Sequence, residues 1–141
     1  MKPVVQLETT GCAIASAAAI AGISYSKARA IASTIGIHTT DSSLWSEAKQ
    51  IRRLLRHLGF RTSAKPYHFR VWSQLPDLAL LSIKWHLERG RPYWHWVVFI
   101  REGNEACVLD SKAALRNHKR TDFGRMRPKW YIVVSNATAP G

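Results

Sequence analysis

The chain has 141 residues, 46% of them hydrophobic, which fits one domain with a buried core and argues against an intrinsically disordered chain. Its 21 Lys and Arg residues outnumber its 9 Asp and Glu residues, giving a formal net charge of +12. Such a charge attracts nucleic acid, anionic lipid, acidic proteins or anionic wall polymers without choosing among them. Two cysteines are too few for a disulfide framework and cannot form a zinc site alone.

Three helices are predicted in the N-terminal part of the chain. The first covers residues 12–21, with Thr9 or Thr10 as its N-cap. Because this run contains only Ala, Ile, Ser and Cys, we expect it to be buried on all sides. The second helix covers residues 24–36, and the third covers residues 38–59, where apolar residues recur at three- and four-residue steps.

The C-terminal part of the chain has aromatic and β-branched runs separated by turns, a pattern typical of strands. The predicted strands cover residues 79–83, 93–100, 105–111 and 130–134. Residues 112–129 are predicted to form a basic loop, and residues 135–141 a flexible tail. Helices followed by an antiparallel sheet indicate an α+β fold, and we expect a single domain over residues 1–141.

Cys12 stands at the start of the first predicted helix. The thiolate is the nucleophilic form of cysteine, and the unpaired N–H groups and dipole of a helix N-terminus stabilise it. A cysteine in a buried, Ala-rich helix is also a common small packing residue. A nucleophile needs a base, usually a histidine oriented by a third polar group.

His95 is the histidine that lies inside a clearly predicted strand. With the hairpin turn centred on residues 102–103, it stands opposite Asp110 on the same face, with β-carbons about 5 Å apart. The carboxylate could then accept the second N–H of the imidazole. A strand histidine bonded to a convenient carboxylate is the structural alternative. Cys107 points to the other face, so we expect it to be a packing residue.

Gln6 lies six positions before Cys12. Acyl transfer requires donors aimed at the developing oxyanion, and a side-chain amide together with the nucleophile's backbone N–H can supply them. A glutamine just before the helix of the cysteine can reach that space.

The order of these residues resembles papain-like cysteine peptidases. The stretches QLETTGCAIASAAAIAG, LGF, LALLSI, GRPYWHWVVF and ACVLDS look most like the bacteriocin-processing, double-glycine-leader peptidases and their stand-alone relatives. The resemblance implies a papain-like fold and a peptide or protein substrate. It implies Cys12 as nucleophile, His95 as general base and acid, and Asp110 as the residue that orients His95. It also implies Gln6 in the oxyanion hole.

Some features depart from that branch. Gly11 and Ala13 flank the cysteine where an acidic residue and a glycine are frequent. The processing peptidases are commonly fused to a transporter, whereas no apolar run here is long enough to span a membrane. The same site also serves peptidoglycan amidases, deamidases and acyltransferases, so the reaction stays open among these classes.

The basic segment allows a different interpretation. It is either a solvated loop or a surface for an anionic partner, such as nucleic acid, a membrane surface or an acidic substrate. A non-enzymatic binding module for nucleic acid or acidic protein, on a retired peptidase scaffold, is therefore the alternative to an enzyme. The candidate patch consists of Lys112, Arg116, Lys119, Arg120, Arg125, Arg127 and Lys129.

The sequence contains neither a metal-binding motif nor a signal peptide. Cys12, His95 and Asp110 could nominally hold zinc, but the cysteines form no C-x-x-C pair and the histidines lack the spacing of a zinc helix. We expect no metal and no cofactor. Because the N-terminus has no apolar signal core, we expect a cytoplasmic protein unless another system exports it.

Overall fold

The computed structural model describes residues 1–137, and its architecture is α+β. The helices are α1 (Cys12–Ala21), α2 (Tyr25–Thr34) and α3 (Lys49–His57). The strands are β1 (Phe60–Thr62), β2 (Tyr67–His68), β3 (Leu78–Glu88), β4 (Arg91–Glu102), β5 (Glu105–Leu109), β6 (Lys119–Arg120) and β7 (Trp130–Asn136). All pairings are antiparallel, in the order β1-β7-β3-β4-β5-β6, with β2 also on β7. The predicted fold class, with N-terminal helices on a C-terminal antiparallel sheet, is confirmed.

Helix α1 is the centre of the fold, as its composition predicted. All of its residues except Ala21 are buried, and it packs against β4, α2 and α3. Its small side chains allow these neighbours to approach closely on every side. The predicted threonine N-cap is wrong, because Gly11 occupies the N-cap position and no side chain caps the helix. The first N–H groups of α1 therefore stay without a side-chain acceptor.

The third predicted helix is shorter than expected. Residues 42–45 form a 3₁₀ turn, capped by the Asp41 carboxylate, which accepts from the Ser43 N–H. The α-helix itself begins only at Lys49. The turn is fixed by the indole of Trp96, which donates to the Leu44 carbonyl at 2.8 Å. A tertiary contact thus replaces the helical hydrogen bonds that the sequence period predicted.

The sheet is covered on both faces. Trp96, Val98 and Leu109 belong to the apolar cluster that contains α1. Alternate residues, such as Phe99 and Val108, belong to a second cluster on the other side. Cys107 packs at the edge of the α1 cluster, as the alternation predicted. No helix within residues 1–137 has the length and apolar character that crossing a lipid bilayer requires.

The β4–β5 register differs from the prediction by two residues. Glu102 pairs with Glu105 and Phe99 pairs with Val108, so the turn is centred on residues 103–104. Gly103 takes a positive φ of 61°, which a glycine adopts without strain. Because a shift of two keeps every side chain on its predicted face, Asp110 remains on the His95 side, just after β5 ends.

The segment predicted as a basic loop contains regular structure. Residues 119–120 form β6, which pairs with β5, and residues 123–125 form a 3₁₀ turn. At the C-terminus, Ser135 and Asn136 belong to β7 and pair with β1, so these two positions of the predicted tail are strand. Residues 138–141 lie outside the described part of the chain.

Candidate active site

Cys12 and His95 meet where α1 begins. Cys12 is the first residue of α1 and is 4% exposed. His95 pairs with Ile83, the last residue of β3 before its pairing with β4 becomes irregular. At this position the imidazole is close enough to the Cys12 thiol for that thiol to raise its pKa. The fold therefore brings a thiol at a helix N-terminus together with a histidine from the sheet.

Asp110 holds the opposite side of the imidazole. Its Oδ1 lies 2.7 Å from Nε2 of His95, and its side chain is only 1% exposed. Because Nε2 faces a buried carboxylate, it carries the proton of the neutral ring, and Nδ1 is left for the thiol. The His95 side chain is 15% exposed, so one edge of the ring reaches solvent.

The Asp110 carboxylate has two further donors. Arg120 donates from Nη1 to Oδ2 at 3.0 Å, and the backbone N–H of Lys112 donates to Oδ1 at 3.1 Å. Burial alone would raise the pKa of Asp110, but the hydrogen bonds and charge of His95, followed by these donors, hold it well below its usual range. The carboxylate is therefore ionised at neutral pH.

The electrostatics of His95 favour its charged form. Burial of the ring lowers its pKa, but the hydrogen bonds and charges of Asp110 and Cys12 outweigh that effect and raise the pKa to about 9. The ring is therefore held between a carboxylate and a thiol, with its charged form favoured.

Gln6 is buried beside these groups and makes three side-chain hydrogen bonds. Its Oε1 accepts from Oγ of Ser111 at 2.7 Å, and its Nε2 donates to the carbonyls of Glu8 and Thr9 at 2.9 and 3.0 Å. Both N–H groups of the amide are thus engaged on the turn that precedes α1. The backbone N–H of Cys12 has no acceptor within residues 1–137.

Gly11 has a structural reason to be glycine. A β-carbon on this residue would lie 2.2 Å from the Tyr25 hydroxyl, which fills the space next to the backbone. That hydroxyl donates to the carboxylate of Glu8, which also accepts from Arg29. Tyr25 therefore positions the turn on which Gln6 and the start of α1 depend.

A cleft of about 370 Å³ opens beside His95. One wall is the turn from Gln6 to Thr9, including the exposed side chain of Leu7. The other wall consists of Lys84 together with residues 112–114. An extended chain lying between these walls would pass the exposed edge of the imidazole.

The seven residues of the predicted anionic-partner patch do not all line one cavity. Lys112, Lys119, Arg120 and Arg125 line a groove of about 490 Å³ that adjoins the cleft. Arg120 is bound internally, to Asp110 and through two donors to Asp122. Lys129 lies over the ring of Trp85, at 4.5 Å from its centroid. Arg116 and Arg127 are exposed and line neither cavity.

Sequence analysis missed the roles of Arg120 and Ser111 beside the candidate site. The sequence places Arg120 in the anionic-partner patch. The two-residue strand β6, which brings Arg120 to Asp110, has no recognisable sequence pattern. Ser111 follows Asp110 directly in the sequence. Its position as a polar residue next to the candidate carboxylate could have marked it as part of the site. No group of three or more His, Cys, Asp or Glu side chains suited to a metal ion occurs in the described part of the chain.

Comparisons of the sequence find no matching family profile and no matching curated protein. Comparison of the structure finds a double glycine motif protease from an AMS/PCAT transporter, solved with the leader peptide, at TM-score 0.61 and 16% identity. That match covers 96% of this chain and 91% of the other. The peptidase domain of Streptococcus ComA, a bifunctional ABC transporter of a quorum-sensing pathway, matches at TM-score 0.60 and 18% identity. There the coverage is 96% of this chain and 98% of the other, so this chain has the fold of these peptidase domains over nearly its whole length.

Proposed function

We propose that this chain is a cysteine hydrolase that cleaves a peptide bond through a thioester on Cys12. The observation that carries the proposal is the position of His95, bonded to buried Asp110 on one side and within reach of the Cys12 thiol on the other. The shared fold with two peptidase domains supports it, and the leader peptide bound to one of them supports a peptide or protein substrate.

The first half of the reaction forms a tetrahedral intermediate on Cys12. Nδ1 of His95 takes the thiol proton, and the thiolate of Cys12 attacks the carbonyl carbon of the scissile amide. The backbone N–H of Cys12, which has no acceptor in residues 1–137, donates to the oxyanion. Gln6 adds a second donor after one of its N–H groups leaves a carbonyl of the preceding turn.

The second half releases both products. The carbon–nitrogen bond breaks as the imidazolium of His95 gives its proton to the leaving amine, which leaves the thioester on Cys12. The imidazole then takes a proton from water, the hydroxide attacks the thioester, and the carbon–sulfur bond breaks to restore the thiolate. Asp110 stays ionised throughout and fixes the tautomer and orientation of the ring.

The test is alkylation of the two cysteines by iodoacetamide from pH 5 to 9, followed by mass spectrometry. We expect Cys12 to react rapidly well below pH 8, because it is paired with an imidazolium, and to react much more slowly in His95→Ala. Cys107 is the internal control, since burial raises the pKa of its thiol.

Slow labelling of Cys12 in the parent, unaffected by His95→Ala, would show a packing cysteine and overturn the proposal. With an activated thiol established, a screen against peptides, peptidoglycan fragments and glutamine side chains ranks peptide cleavage against the amidase and deamidase reactions. Cleavage that is abolished in Cys12→Ala assigns the reaction.

A further inference from the structure

Two lysines stand at the rim of the cleft beside His95. Lys84 lies at the end of the regular part of β3, and Lys112 follows Asp110 by two positions; both side chains are exposed. Both residues line the 370 Å³ cleft that contains Gln6 and His95. Both also line the adjoining groove, so they stand between the two cavities.

Neither ammonium group has a carboxylate partner among residues 1–137. The nearby acids are engaged elsewhere: Glu8 with Arg29, Asp110 with His95 and Arg120, and Asp122 with Arg120. The two lysines instead lie next to each other. Burial, followed by the contact with Lys112 and its charge, lowers the pKa of Lys84. The charge of Asp110 offsets part of this effect, but neither lysine has an ion-pair partner among residues 1–137. Two adjacent cations without an ion-pair partner attract an anion from outside the chain.

The backbone conformation of Lys84 is unfavourable. Its φ is +55°, a left-handed conformation that residues other than glycine rarely adopt. Ile83 pairs with His95 and His86 pairs with Tyr93, so two residues of β3 oppose one residue of β4. This is a β-bulge, a feature that redirects side chains next to active sites. Observed strain of this kind points to a functional role for the residue that bears it.

We propose that Lys84 and Lys112 bind a carboxylate of the peptide substrate next to the scissile bond, so that the enzyme selects acidic peptides. This inference rests on the proposed function of the same cleft. The carboxylate comes either from an Asp or Glu side chain or from the C-terminus of the peptide. Leu7, Ala113 and Ala114 also line the cleft and are compatible with the aliphatic parts of such a chain. The one acid among the described residues of the lining, Glu8, has its carboxylate bound by Tyr25 and Arg29.

The experiment compares two reagents that differ mainly in charge. Iodoacetate carries a carboxylate and iodoacetamide is its neutral counterpart, and both alkylate the same thiol. In the parent we expect Cys12 to prefer iodoacetate. In Lys84→Gln/Lys112→Gln we expect the ratio of the two rates to fall by about three- to tenfold, and the ratio to fall in the parent as salt is added.

The matched control removes two lysines elsewhere. Lys49→Gln/Lys65→Gln lowers the net charge by the same amount, and neither residue lines the cleft or the groove. The ratio must stay at the parent value in this control, because a general charge effect would change both variants equally. The His95 imidazolium also attracts iodoacetate, but it is present in every variant compared.

The outcomes separate the two proposals. Slow labelling of Cys12 by iodoacetamide overturns the proposed function and the subsite with it. Rapid labelling by iodoacetamide with a ratio that is unchanged in Lys84→Gln/Lys112→Gln overturns the subsite alone. Equal falls in the ratio in both double variants also overturn it.

Protection of Cys12 from iodoacetamide identifies the source of the carboxylate. Three alanine pentapeptides serve as probes: one amidated with a central glutamate, one with a free C-terminus, and one neutral and amidated. We expect at least one charged peptide to protect better than the neutral peptide in the parent and to lose that advantage in Lys84→Gln/Lys112→Gln. Equal protection by all three peptides in the parent contradicts selection of acidic peptides.

Discussion

Residues 1–137 contain two histidine–carboxylate pairs whose environments differ sharply. His95 and Asp110 are 2.7 Å apart and largely buried, and the carboxylate has two further donors. His86 and Glu88 are 3.1 Å apart at the exposed end of β3, with 52% and 65% of their side chains accessible. The same chemical pair therefore occurs once in a protected position and once in solvent.

The difference shows what burial adds to an ion pair. In the exposed pair, water and salt screen the attraction, and both side chains can leave the contact freely. In the buried pair, the carboxylate cannot exchange its partners for water, so the imidazole keeps one orientation. Of the two pairs, the buried one has a thiol on its other side. Substitutions at either pair, or next to that thiol, test the difference.

Removing the charge of the two carboxylates in turn should give the largest difference in kcat between the pairs. Asp110→Asn replaces the charged acceptor of the His95 N–H with a neutral amide, which can also turn its own N–H groups toward the ring, and we expect kcat to fall by about 10⁴-fold. Glu88→Gln should leave kcat within about twofold, since the exposed pair contributes little. Steady-state kinetics on a cleaved peptide measure both. Equal effects of the two substitutions would contradict a special role for the buried pair.

Arg120 should be a positioning residue for Asp110. We expect Arg120→Gln to lower kcat by about 10- to 100-fold, which corresponds to loss of a charge-assisted hydrogen bond. Because the guanidinium helps to hold the pKa of Asp110 low, the acidic limb of the pH–rate profile should also move to higher pH. Arg120→Lys should keep part of the lost kcat and should shift the acidic limb less than Arg120→Gln does. A loss of stability with an unchanged profile would mean that Arg120 only supports the fold.

A substitution at Gly11 should displace the Cys12 thiol without changing a residue of either histidine–carboxylate pair. In Gly11→Ala the new β-carbon meets the Tyr25 hydroxyl, and we expect the free energy of unfolding to fall by about 2 kcal/mol, with lower kcat. Denaturant titration measures the stability. Gly11→Ala/Tyr25→Phe removes the nearest clashing atom, so it should be less destabilised than the sum of the single variants. Additive losses would exclude this contact as the cause.

The buried pair should also appear in the pH dependence of stability. The pKa of His95 is raised to about 9 in the fold, so its contribution is full below the unfolded value near 6.5 and is lost as pH rises through 9. We expect the free energy of unfolding of the parent to fall by about 3 kcal/mol more than that of His95→Gln over this range. His86→Gln is the matched control and should behave as the parent, which denaturant titrations at several pH values would check.

Much of the fold was predictable because local composition decides it. A helix built from Ala, Ile and Ser can only be buried, and the aromatic and β-branched runs could only be strands. The alternation of residues around His95 placed Asp110 on the correct side although the register was wrong by two. That error was harmless because strand faces repeat every two residues.

The missed features depend on contacts between distant positions. Residues 38–48 match a helical pattern, but the Trp96 indole holds the Leu44 carbonyl in a 3₁₀ turn. Arg120 comes from a basic run, and only the short pairing of β6 with β5 brings it to Asp110. The bulge at Lys84 leaves no trace in the sequence, since lysine gives no signal of a left-handed backbone.

The link between Gln6 and Ser111 has a consequence for how the chain matures. The two side chains are separated by 105 positions, and the Gln6 N–H also donates to the Ser111 carbonyl. Such distant contacts form late, because the intervening chain must be organised first. During synthesis, Cys12 would leave the ribosome long before His95 and Asp110. The nascent chain would therefore carry an unpaired thiol, and any hydrolytic activity would begin only once the last strands had folded.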